Sequence, residues 1–417
     1  MENLKAISLY TGSGGLDFGF EAAGCNTVVA VELDHDCCRT ISANRDWKIL
    51  EGDIGRMEAS DILNAADARK GEIDLLIAGP PCQPFSKSGY WASGDARRLL
   101  DPRASTIGAF LRVLREVRPR AFLMENVEGL GYRGKREGLD LISTIIAEIN
   151  DATGTRYRLS VAILNAADFG VPQVRKRLFV VASREGKPFY FPPVTHVSSD
   201  GQVAHEERPR YLTSWDAIGD LPGETNEDLR MRGRWADLLP SIPEGCNYLW
   251  HTERMEGLPL FGWRRRYWSF LLKLAKDRPA WTLQAAPGPA TGPFHWTNRR
   301  LSSCEMSRLQ TFPPGIEIVG GHSSVQRQLG NAVPSLLAEV LAREIMDQLF
   351  GLPPKSHDPV LSCPSARVPI PPPEPVQPVP ERFHALIGRH AAHPGTGKGS
   401  RAAHWVTSEK AVDLLSQ

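Results

Sequence analysis

At 417 residues the chain exceeds one average domain, and ~150 residues per domain divides it into two or three units. Its 41% hydrophobic and 23% charged residues are ordinary globular values, which exclude collagen-like, coiled-coil and wholly disordered classes. Lys+Arg 49 against Asp+Glu 48 leaves a net charge of +1, which excludes a protein that coats a polyanion over its whole surface but leaves room for a local basic cleft. Met1-Glu2-Asn3-Leu4-Lys5 runs straight into a strand-like segment, and no apolar run approaches the ~18 residues of a membrane span, so a soluble cytoplasmic protein is expected. The 7 cysteines contain no C-x-x-C pair; neither a disulfide framework nor a structural metal site is expected, and a cysteine that matters here acts as a thiol.

Through residues 1–185, β-rich runs alternate with helical patterns. The runs are 6–10, 27–33, 73–79, 121–125, 158–164 and 178–182, and Ile107 to Val117 and Leu139 to Ile149 carry apolar residues at helical spacing. Such alternation predicts crossover connections and an open, parallel α/β sheet. Residues 186–298 change texture to Pro, Gly, Trp and Arg, holding 7 of the 10 tryptophans, before helical periodicity returns at Ser302 to Gln310 and Ser335 to Leu349. An irregular second domain therefore interrupts the first. After Gly351 the chain becomes Pro-rich, which predicts an extended linker whose removal leaves the chemistry intact.

The first strand leads into Tyr10-Thr11-Gly12-Ser13-Gly14-Gly15-Leu16 and a helix stopped by Gly24. A glycine turn between strand and helix lets backbone approach a ligand at the carboxyl edge of a sheet, although Gly12-x-Gly14 alone is a weak signal. Glu32 and Asp53 at the next two strand ends strengthen it, Glu32 placed for a ribose and Asp53 for an adenine amino group with Ile54 against the ring. Asp17 stands where a dinucleotide fingerprint needs its third glycine. S-adenosylmethionine, which has no pyrophosphate to cradle, fits this turn better than NAD.

The next strand enters Gly79-Pro80-Pro81-Cys82-Gln83-Pro84, where prolines stiffen the turn and present Cys82 at the strand end. Its neighbour places Glu125 at the equivalent point in Glu125-Asn126-Val127, so thiol and carboxyl are expected to face one pocket. In Gln173-Val174-Arg175-Lys176-Arg177, alternation predicts Arg175 and Arg177 on one face beside the same edge. Glu305 and Arg308, one helical turn apart, are expected to pair with each other.

Taken in order, these motifs, together with Gln328-Leu329-Gly330-Asn331-Ala332-Val333-Pro334, resemble those of the DNA (cytosine-5) methyltransferases, of the bacterial restriction-modification type. The resemblance covers residues 4–348. It implies a Rossmann-like, S-adenosylmethionine-dependent methyltransferase sheet with a smaller irregular target-recognition domain. Residues 1–185, completed by 322–350, would form the catalytic domain, 186–321 the target-recognition domain and hinge, and 351–417 a flexible tail. Tyr10, Gly12, Gly14, Gly15, Glu32, Asp53, Ile54, Pro81 and Asn331 would line the S-adenosylmethionine site. Cys82 would be the nucleophile, Glu125 would hold the cytosine edge, and Arg177, with Arg175 behind it, the base oxygen. Thr106 departs from the leucine more usual in the family against the cofactor.

The partner implied is double-stranded DNA, bound by a monomer without metal and paired functionally with a restriction endonuclease. Because cytosine is inaccessible in a stacked duplex, the base must be flipped out. Ser86, Ser88 and Arg97 suit a loop closing on phosphates, and Arg264 and Arg265 beside Trp263 a basic patch. Two alternatives belong to the same reading. A tRNA-modifying branch of the family carries Cys-Phe-Thr in its second domain, whereas Cys246 is followed here by Asn247-Tyr248. A catalytically silent nucleic-acid-binding homologue would not need Cys82, Glu125, Arg175 and Arg177 together.

Overall fold

The computed structural model describes residues 4–81, 106–131, 137–198, 208–221, 227–263, 268–363 and 369–390. Its central sheet has seven strands: β1 (Lys5–Leu9), β2 (Asn26–Glu32), β3 (Lys48–Glu51), β4 (Leu75–Ala78), β5 (Ala121–Val127), β6 (Ser160–Asn165) and, after the two-residue β7 (Gln173–Val174), β8 (Lys176–Ser183). β1, β4 and β5 are buried on both faces by mainly apolar residues, and such strands are stable only where both faces are covered. They occupy the middle of the order β3-β2-β1-β4-β5-β8-β6.

α3 (Ala59–Ala65), α4 (Thr106–Val117) and α5 (Glu137–Thr153) cover one face; Ile62, Phe110, Leu114 and Ile146 pack there against Ile7, Leu76 and Phe122. α1 (Gly15–Ala23) and the distant α9 (Ser335–Phe350) cover the other, where Phe20, Leu337, Leu341 and Ile345 meet Leu75, Ile77 and Leu123. A Cβ on Gly19 would lie 2.4 Å from the Ser335 carbonyl oxygen, so glycine is what allows α1 and α9 to touch. The chain thus crosses its irregular part and returns to finish this layer, giving the Rossmann-like three-layer architecture expected.

One strand departs from the parallel expectation. β8 runs antiparallel to both β5 and β6, because the short connection after Asn165 leaves no room for a crossover helix. β6 is an edge strand with Val161 and Ile163 exposed, which is why its pattern alternates while the inner strands do not.

β7 leaves this sheet and pairs in parallel with β9 (Ala280–Trp281). Around that junction a second core joins Phe18 of α1, Ile218 of α6 (Ser214–Ile218), Leu283, Trp296, Met306 and Leu309 of α7 (Ser303–Leu309) and Leu329 of α8 (His322–Asn331). A further core, with Leu238, Ile242, Tyr248, Leu271 and Phe294, belongs to the irregular part alone.

Glu305 and Arg308 do not pair with each other. Glu305 is the third residue of α7 and turns back to the Ser302 backbone N–H as a capping box, its carboxylate also held by Arg299 at 2.7 Å. Arg308, in the last turn, faces Asp220.

The Pro-rich stretch is extended, as its composition predicts, and most of its described residues are exposed, but one is packed. Phe383, in a 3-10 turn Glu381–Leu386, is 2% exposed within the core of the irregular part. No helix among the described residues is long and apolar enough to cross a membrane.

Candidate active site

A cavity of about 870 Å³ opens at the carboxyl edge of the sheet. Tyr10, Gly12, Gly15, Glu32, Asp53, Ile54, Pro81, Glu125, Arg177 and Asn331 all line it. These are ten of the residues expected from sequence, gathered from six strand ends and the end of α8.

The turn after β1 carries positive φ at Tyr10 (56°), Gly12 (58°) and Gly14 (85°). Glycine takes this conformation freely; Tyr10 is held in it with its hydroxyl donating to the Thr106 carbonyl at 2.7 Å. Glu32 locks the turn from the side. Its carboxylate accepts from the backbone N–H of Gly12 at 2.7 Å and of Leu33 and Asp34, each at 2.8 Å. About one of its four lone-pair positions remains for a ligand. Gly15 meets the far wall: a Cβ there would lie 2.4 Å from the Val333 carbonyl oxygen, so the segment after Asn331 can close on the turn only over glycine. Gly14 does not line the cavity; it is the left-handed N-cap of α1 and shapes the turn from behind.

Asp17, in place of a third glycine, is fully buried and accepts from the hydroxyls of Ser8 and Thr27, each at 3.0 Å, tying α1 to β1 and β2. Burial pushes its carboxyl up to about 7. Between pH ~4 and 7 the folded protein therefore holds a proton that an unfolded aspartate has lost, so this group's contribution to stability is complete below ~4 and disappears as pH rises through 7. Asp17→Asn is expected to gain about 2–3 kcal/mol relative to wild type on going from pH 5 to pH 8 in urea unfolding. Parallel pH profiles for the two proteins would refute this.

Glu125 and Arg177 come together across β5 and β8, where Val127 faces Arg177 and Glu125 faces Phe179 in the antiparallel register. This diagonal relation brings Arg177 Nε to 2.9 Å from Glu125 Oε1, both side chains largely buried. Burial raises the Glu125 carboxyl above the ordinary carboxylate range, with Arg177 pulling against it. Oε2 of Glu125 lies beside Gly79, where a Cβ would be 3.7 Å away, so the carboxyl stands at the mouth of the Pro80-Pro81 turn. Cys82 itself lies outside the described residues, as do Ser86, Ser88, Arg97, Arg264 and Arg265.

Arg175 is not beside Arg177 on the cavity wall. It falls between β7 and β8, where the chain passes from one sheet to the other, so the two-residue alternation of a single strand does not carry through. Fully buried, it donates to the carbonyls of Gly330 at 2.8 Å and Leu283 at 3.3 Å, pinning the end of α8 and the segment after β9.

Three lining residues carry functions the sequence did not single out. Thr106 donates to the Pro81 carbonyl at 2.8 Å, and Asn126 Nδ2 donates to the Pro80 carbonyl at 3.1 Å, so α4 and β5 together hold the Pro80-Pro81 segment. Arg327 of α8 pairs with Asp34, the N-cap of α2 (His35–Asn44), at 2.8 Å and closes the rim. The position of Asn126 next to Glu125 was the only local signal; the other two partnerships span over 20 residues.

Among the described arginines of the irregular part, Arg230 and Arg232 both pair with Asp228, and Arg234 lies over the Trp235 ring at 4.8 Å. Arg254, not singled out from sequence, covers Trp263 at 4.1 Å.

Residues 4–347 match the family model of the C-5 cytosine-specific DNA methylases. The chain is 41% identical over 372 residues to the type II methyltransferase M.SacI of Streptomyces achromogenes, covering 83% of this chain and 93% of that protein. It is 32% identical over 351 residues to M.NgoFVII of Neisseria gonorrhoeae, covering 82% and 86%. The fold is also that of a putative DNA modification methyltransferase encoded within an E. coli prophage, with TM-score 0.55 at 23% identity over 84% of this chain and 100% of the other. The protein belongs to the C-5 cytosine-specific DNA methylase family and is a DNA (cytosine-5) methyltransferase.

Proposed function

We propose that the protein methylates carbon 5 of a flipped-out cytosine within one specific duplex sequence, using S-adenosylmethionine and a covalent Cys82 adduct. The observation that carries this reading is the Glu125–Arg177 pair at 2.9 Å facing the braced Pro80-Pro81 turn in one cavity. The lining fits the cofactor. Among the described residues five carboxylates face the cavity, from Glu32, Asp34, Asp36, Asp53 and Glu125, and its two arginines are already paired, Arg177 with Glu125 and Arg327 with Asp34. An acidic wall without a free guanidinium suits a sulfonium and ribose hydroxyls and disfavours a pyrophosphate. Glu32 and Asp53 would hold the ribose and adenine ends, with Gly12, Gly15, Ile54, Pro81, Tyr10 and Asn331 around them. The bound cofactor supplies an electrophilic methyl group.

The chain's own residues do the rest. Carbon 5 of cytosine is a weak nucleophile, and addition of the Cys82 thiolate to carbon 6 turns it into an enamine carbon. Glu125, whose carboxyl burial shifts toward the protonated form against the pull of Arg177, stabilises ring nitrogen 3 as charge builds there, and Arg177 holds the carbonyl oxygen. Arg175, Thr106 and Asn126 keep this geometry without touching the base. Residues 186–321 would read the target sequence in cytoplasmic DNA, and the relatives, printed as type II methyltransferases, fit a role beside a restriction endonuclease.

Bisulfite sequencing of plasmid from cells expressing the protein tests the reading. Protected cytosines confined to one sequence context are expected; uniformly converted plasmid together with newly protected cytosine in tRNA would overturn it.

A further inference from the structure

The strongest unassigned feature is the Pro-rich extension. Near its start, the Val360 and Leu361 backbone N–H groups donate to the buried Glu339 carboxylate of α9 at 2.7 and 2.8 Å, which anchors it to the catalytic domain. Further on it meets the second domain at a buried cation. Lys276, whose side chain is 3% exposed, directs its ammonium at Glu244 (2.8 Å), the Pro372 carbonyl (2.9 Å) and Glu374 (3.0 Å). An ammonium has three N–H donors, so all three are used, and two of the partners come from the extension. Glu244 also accepts from the Glu374 backbone N–H at 2.8 Å.

Nine residues after Glu374, Phe383 stacks on Trp235, with centroids 5.7 Å apart and planes at 14°, inside the same core as Leu238 and Tyr248. Backbone bonds from Gln377 to Pro240 and from Gly388 to Pro259 flank it, and Arg382 pairs with Asp237. Without the extension the domain would lose a core residue and leave Lys276 buried with unmet donors.

The contact leads toward the active site. Lys276 stands four residues before β9, which pairs with β7 immediately before Arg175, and Arg175 holds Leu283 just beyond β9. We infer that residues 369–390 are a strap that closes the core of the second domain and holds it over the active-site edge, with Glu374 and Phe383 as positioning residues for target binding. This rests on the reading that the second domain carries the DNA, and it replaces the expectation that everything past Gly351 is dispensable.

The test uses full-length Phe383→Ala and Glu374→Ala, with Glu374→Gln, which keeps an oxygen for Lys276, as the conservative control. Hydrogen exchange in 227–260 and 268–301 is expected to lose protection while the sheet keeps it. KM for duplex DNA is expected to rise about 10-fold or more, with kcat within about 3-fold, S-adenosylmethionine affinity within about 2-fold, and Glu374→Gln near wild type. Unchanged exchange and KM, a fall in kcat at constant KM, or loss of protection that spreads into the sheet would each overturn the strap. A wild-type chain inactive on every duplex would sink the DNA reading instead, and the exchange result would still judge the strap.

Discussion

With a duplex carrying 5-fluorocytosine at the target position, the wild-type protein is expected to form an adduct that survives denaturing electrophoresis and maps to a peptide containing Cys82. Cys82→Ala is expected to form none. If the Cys82 sulfur adds to carbon 6, release requires loss of the substituent on carbon 5 as a cation, which hydrogen permits and fluorine does not. The adduct depends on S-adenosylmethionine, because only after methyl transfer is the intermediate trapped. Cofactor binding by Cys82→Ala is expected to stay near wild type, since Glu32, Asp53 and the glycine turn lie on other strand ends. A trapped peptide containing Cys304, or residual methylation by Cys82→Ala, would refute the assignment.

Glu125→Gln is expected to slow single-turnover adduct formation by about 10²–10³, the range seen when one preorganised group at a developing charge is removed. Glutamine keeps the shape but cannot donate a carboxyl proton, and it leaves Arg177 without the charge now 2.9 Å away. The rate loss belongs in the chemical step, so S-adenosylmethionine affinity is expected to remain within about 3-fold. A Glu125→Gln protein with a wild-type single-turnover rate would remove Glu125 from the chemistry. Thermal unfolding of the variant separates this from a general loss of structure.

Much of this was legible before any fold was known, for a physical reason. Runs such as Leu75 to Ala78 are apolar without alternation, and such runs belong in the middle of a covered sheet. Where they stop, polar residues lie at the carboxyl edge, so Glu32, Asp53 and Glu125 are brought to one cavity by strand geometry alone. The glycines at 12 and 14 announce a turn that other residues adopt only at a cost.

What the sequence by itself determined was therefore the layer architecture, the edge that carries the site and ten of the residues lining it, since these follow from local period and order. Only the tertiary structure decided which polar groups act and which support. Arg175 and Arg177 are two residues apart, yet a change of sheet between β7 and β8 sends one into the interior and the other to Glu125. Glu305 pairs upstream with Arg299 because helix capping competes with side-chain pairing within the helix. A proline-rich composition correctly predicts extended backbone, but Lys276 and Trp235, about a hundred residues or more away in the chain, are what hold that backbone in place. Partners so distant leave no local period to read, because their contact is set by how the layers close on one another.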